Sequence, residues 1–158
     1  NFFKSNSIAY GVGLFHYLAF MEKFKTFLEK LPPWTFSILC FLAICWLTLS
    51  PDPLGGNDLP LFPGADKIAH AIMFGGFTFC IILDWNRRHD WPLKIEKADV
   101  HAADIASIFG IITELLQDAM HTGRSLEFWD MVADITGAFL VLAIVALYKF
   151  KLKDRYLH

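Results

Sequence analysis

Four apolar runs divide this chain, each approaching the roughly 20 residues that a helix needs to cross a bilayer core. They cover about residues 34–49, 65–85, 101–120 and 129–148. In hydrocarbon no water can satisfy a bare backbone N–H or C=O, so such segments must bond internally as helices. The expected fold is therefore all-α, an integral membrane four-helix bundle. Composition agrees, since 55% of residues are hydrophobic and only 19% charged, against about a quarter charged in a soluble domain.

The runs are bounded as membrane spans are. Trp34, Trp85, Trp129 and Tyr148 stand at their ends, where aromatic rings favour the interface. Pro32 and Pro33 precede the first run, and Ser50-Pro51-Asp52-Pro53 ends it, which is strong local punctuation. Basic residues then set the orientation. Lys23, Lys25 and Lys30 precede the first run, while Lys67 alone opens the second. Arg87, Arg88, Lys94 and Lys97 follow the second, Arg124 alone follows the third, and Lys149, Lys151, Lys153 and Arg155 fill the tail. That alternation predicts a multi-pass protein with both termini cytoplasmic.

Residues 1–20 read as an N-terminal extension, and residues 21–158 as one membrane domain. The apolar stretch 8–20 is too short to span and suits an interfacial or disordered segment. Met21, followed by Glu22-Lys23-Phe24-Lys25, also reads as a natural start, which would make the extension foreign to the protein. The net charge of −2 and the lack of a basic stripe exclude nucleic acid as a partner. Cys40, Cys45 and Cys80 lie inside the runs without metal-ligand spacing and read as small buried hydrophobes. No nucleophile elbow, phosphate loop or zinc-protease motif occurs.

The polar residues inside the runs are more informative. An ionisable side chain at membrane depth is costly, so it faces a bundle interior or a wet cavity and marks function. At ~100° per residue, Ser107, Gly110, Glu114, Gln117 and His121 form one stripe on the third helix. Asp130, Asp134 and Gly137 align on the fourth, and Asp66 and His70 on the second. Each stripe has its charged groups at the outer end. Glu114, six residues from the end of its run, lies roughly 9 Å deep.

Three uses suit this set. Glu114 is placed for general acid or base chemistry. His70, Glu114, Asp130 and Asp134 are candidate ligands for a divalent metal. Arg124 has the planar fork that clamps a phosphate or carboxylate. The plainer readings are interhelical hydrogen bonding by Glu114 and Gln117, a helix-dipole role for Asp130 and a headgroup-snorkelling Lys67.

Leu49-Ser50-Pro51, then Asp66-Lys67-Ile68-Ala69-His70 with Phe74, resembles the first half of a VanZ-like protein. Glu114-Leu115-Leu116-Gln117 and Arg124-Ser125, followed by Asp130, Asp134 and Gly137, resemble the second half. The resemblance covers about residues 34–148. It implies a small protein of the bacterial cytoplasmic membrane, from a family named for a component of glycopeptide (teicoplanin) resistance, acting on or near cell-envelope precursors. The matching positions are Asp66, His70, Glu114, Gln117, Arg124 and Asp130. Asp134 departs from the family, which often has Asn there, and Val141 stands where a second small residue is expected.

The expected function is an outward-facing polar site that binds an anionic lipid or lipid-linked envelope precursor, with catalysis left open. Catalytic candidates are Glu114, His70 and Asp130. Arg124, Gln117, Asp66 and Asp134 are the ligand-binding candidates. A non-catalytic binding or assembly protein is the alternative, and a small transporter is third, because no repeat or broken helix supports alternating access.

Overall fold

The computed structural model describes residues 22–23, 25–51, 62–89, 91–120 and 126–157. The extension 1–20, His121 and Arg124 therefore lie outside the described residues. Contacts divide the chain into two units, Asn1–Pro33 and Trp34–His158. Within the first, residues 25–30 are helical, with an exposed Lys25–Glu29 pair at 3.7 Å.

The second unit is all-α, with no strand among the described residues. Its helices are α1 (Thr35–Leu49), α2 (Ala65–Asn86), α3 (Lys97–Met120) and α4 (Phe128–Leu157). The first two match the expected runs within a residue. The third begins four residues early because the Asp99 carboxylate accepts the Glu96 backbone N–H at 2.8 Å, half of a capping box. The fourth continues nine residues beyond Tyr148. Lysine, leucine and arginine are good helix formers, and their positive charges suit a helix C-terminus.

By length and composition, α2 and residues 128–155 of α4 are able to cross a membrane. The apolar α1 has 15 residues, about 22 Å. The 24-residue α3 is long enough but carries Asp99, Asp104, Glu114 and Asp118.

Small residues bring the helices together. A Cβ on Gly137 of α4 would overlap the Ala71 carbonyl of α2, so only glycine allows this approach. One turn on, Val141 fills the space beside Gly75, where a Cβ would meet its Cγ2 at 3.1 Å. That contact explains how the fold accepts valine at 141. Phe109 of α3 lies against Phe41, Phe74 and Phe77, with ring centroids 4.8, 5.7 and 5.5 Å away. Ala102, Ala103, Ala106 and Ala138 close the core around these rings.

A polar layer closes each end of this apolar middle. At one end, Asp84 of α2 accepts the Ser37 N–H and hydroxyl of α1, at 2.8 and 2.7 Å. The same carboxylate holds Arg87 at 2.8 Å. Beside it, Lys149 of α4 donates to Asp99 at 2.8 Å and to Asn86 at 3.3 Å. All of these residues are buried. Lys149, which the sequence presents as a tail charge, thus ties α4 to α2 and α3, and Arg87, which it presents as a loop charge, braces the Asp84 carboxylate that holds α1. The other layer lies about 21 Å along α2, the rise of the fourteen residues from His70 to Asp84.

Candidate functional site

The second layer is built from the start of α2, the end of α3 and the start of α4. The Ser107–Gly110–Glu114–Gln117 stripe of α3 is buried, as its helical spacing requires. Gly110 is the key small residue, since a Cβ there would fall 2.7 Å from both Cβ and Oδ2 of Asp134. Its bare backbone leaves the space that Asp134 occupies.

Two groups of side chains result. In the inner group, His70 Nδ1 lies 2.9 Å from Asp134 Oδ1 and 3.7 Å from Glu114 Oε1. Asp134 is fully buried and Glu114 is 1% exposed. Glu114 Oε1 and Asp134 Oδ2 are buried without a hydrogen-bond donor among the described residues. The second Glu114 oxygen accepts the Glu127 backbone N–H at 3.3 Å.

In the outer group, Lys67 donates to Asp66 at 2.8 Å, Glu127 at 2.9 Å and Asp130 at 3.0 Å. An ammonium has three N–H donors, and three carboxylates take them. Lys67 is therefore a cross-link between α2 and α4 rather than a side chain extended to headgroups. Glu127 joins the groups, with its backbone on Glu114 and its side chain on Lys67.

Each sequence candidate among the described residues thus has a place, and Arg124 lies outside them. His70, Glu114 and Asp134 converge, while Asp66 and Asp130 form the outer group around Lys67. Gln117 points away from both and donates its amide to the Thr48 carbonyl of α1 at 2.8 Å, as interhelical polar glue does. Glu127 lies just before the fourth apolar run, outside the segments whose stripes the sequence defines. Its position three residues before Asp130, at a helix entry, is the one available signal. The buried pair Asp84–Arg87 was legible as an i,i+3 pair of opposite charge.

The site is acidic. Its described residues bring five carboxylates against Lys67 and His70. The ligand atoms of His70, Glu114 and Asp134 lie within 4.8 Å of one another. Two ionised carboxylates at that separation repel by about 3 kcal/mol at an effective dielectric near 20. A positive charge between them, whether a proton on the imidazole or a bound cation, relieves that repulsion. With a proton on Nδ1 shared with Asp134, Nε2 is the basic atom of an oriented imidazole.

Comparisons with protein-family models, with curated proteins and with solved structures find no match to this chain.

Proposed function

We propose that this is a VanZ-like, multi-pass membrane protein of the bacterial cytoplasmic membrane. All four helices of the second unit would span, with both termini in the cytoplasm. The His70–Glu114–Asp134 end would face outward and receive the polar head of an anionic lipid or lipid-linked envelope precursor.

The observation that carries this reading is one contrast. Ile72, Phe79, Ile112, Leu140, Ile144 and Leu147 are exposed on the outside of the helices, while Glu114 and Asp134 are buried within, each with an oxygen that meets no hydrogen-bond partner among the described residues. A water-soluble protein rarely exposes so much apolar surface. An ionisable group inside such a bundle marks a site by default. Arg124, immediately before Ser125 in the connection from α3 to α4, is the residue assigned to the anion.

Native mass spectrometry of protein extracted with its lipids tests the proposal. The wild-type protein should retain an anionic lipid or precursor in a fixed ratio, and Arg124→Gln should lower that retention about tenfold, equivalent to ~1.4 kcal/mol. A product of different mass after incubation would establish catalysis. Equal retention by wild type and variant would reduce the bound lipid to a general annulus.

A further inference from the structure

Among the described residues, every buried carboxylate but two comes with its own cation. Asp84 has Arg87 at 2.8 Å, Asp99 has Lys149 at 2.8 Å and Asp130 has Lys67 at 3.0 Å. Glu114 and Asp134, among the described residues, have only His70 between them. Each keeps a buried oxygen with no partner among the described residues, as Asp99 does, but Asp99 has the Lys149 ammonium on its other oxygen. A buried charge left uncompensated is costly, and proteins meet that cost with a partner or a metal.

We infer that His70, Glu114 and Asp134 bind a divalent transition-metal ion of the zinc or manganese kind. One imidazole and two carboxylates are suitable donors for those ions, whereas calcium and magnesium prefer oxygen throughout. The separations from Nδ1, 2.9 and 3.7 Å, bracket the roughly 3.0–3.4 Å between neighbouring ligands expected for bonds of about 2.1 Å. Asp130 is excluded from the ligand set because Lys67 already holds it. An imidazole protonated at Nδ1 releases that proton to solvent as the ion takes its place.

The consequence for ligand choice rests on the proposed function above. Five carboxylates repel a phosphate, and Lys67 has no N–H left to offer one. A metal held by three protein ligands keeps open positions, so a phosphoryl or carboxylate oxygen of the headgroup would complete its coordination. The ion makes an acidic pocket compatible with an anionic substrate.

Full-length protein in lipid nanodiscs, stripped with chelator and reloaded separately with Zn²⁺, Mn²⁺ and Co²⁺, provides the test. After desalting, elemental analysis should find about one ion per chain in the wild type. Co²⁺ should give visible ligand-field bands that free Co²⁺ lacks. Glu114→Gln, Asp134→Asn and His70→Ala should each lower affinity at least tenfold, and Asp104→Asn, at an exposed carboxylate away from the site, should not. Should the variants misfold by circular dichroism, the wild-type stoichiometry and Co²⁺ spectrum decide alone. No retained ion in the wild type, or retention unchanged in folded variants, would overturn the inference. Lipid retention by a protein that binds no metal would overturn the metal and leave the proposed function standing. Metal binding without lipid selectivity would do the reverse.

Discussion

Asp134 reaches His70 because Gly110 on a third helix has no side chain: the Asp134–His70 distance is 2.9 Å, and a Cβ at 110 would meet Asp134 at 2.7 Å. The site is therefore set by backbone approach as much as by its polar residues.

Gly110→Ala should move the Asp134 carboxylate off the imidazole. Overpacking of this sort costs about 1–3 kcal/mol, and the loss should exceed that of Gly76→Ala. Gly76 has nothing within 4 Å of an added Cβ, so alanine there should be neutral or slightly favourable within the helix. Thermal unfolding in a fixed detergent compares the two. Equal destabilisation would show that helix propensity, not the Asp134 contact, governs both positions.

Gly137 should tolerate less than Gly110. The atom that an added Cβ would strike is the Ala71 carbonyl, part of a helix backbone that has no rotamer to change. Gly137→Ala should then separate α2 from α4 and cost 2 kcal/mol or more, on the order of the larger overpacking effects. A stability unchanged from wild type would mean that the two helices slide freely, contrary to the packing described.

At the opposite end, Lys149→Met should be strongly destabilising, because it leaves Asp99 buried beside no cation. Breaking such a pair costs about 3–5 kcal/mol, while replacing both members costs much less. The double variant Asp99→Asn/Lys149→Met should therefore be more stable than Lys149→Met alone. Measured unfolding of the four members of this cycle gives the coupling, and simple additivity would show the pair to be independent.

Much of this architecture was legible in the sequence because hydrophobic run length and helical spacing are local properties. The Ser107–Glu114–Gln117 stripe and the Asp130–Asp134 stripe pointed inward as their spacing required. What the sequence concealed was partnership between distant positions. Lys67 looked like a residue for headgroups, yet it meets Glu127 and Asp130 some sixty positions away. Lys149 looked like a tail charge, yet Asp99, 50 positions away, buries it. Gln117 shared a stripe with Glu114, and one turn of helix was enough to send its amide to Thr48 instead. Charge alone does not reveal whether a side chain faces solvent, lipid or an opposite charge on another helix.

Those buried pairs also bear on orientation. The rule that places basic residues in the cytoplasm counts charges near the membrane, and Arg87 and Lys149 are neutralised by Asp84 and Asp99. Lys94 and Lys97 still stand between α2 and the body of α3, and Lys151, Lys153 and Arg155 on the last turns of α4, so the bias survives. In a background with Cys40, Cys45 and Cys80 replaced by alanine, single cysteines at Phe62 and Ile95 report the two sides, because both residues are exposed near opposite ends of the bundle. An impermeant maleimide applied to intact cells should label Phe62→Cys and spare Ile95→Cys until the membrane is opened. The reverse pattern would place the His70–Glu114–Asp134 end in the cytoplasm and rule out an outward-facing site for envelope precursors. Labelling of both from outside would mean that α2, which alone separates them, does not span.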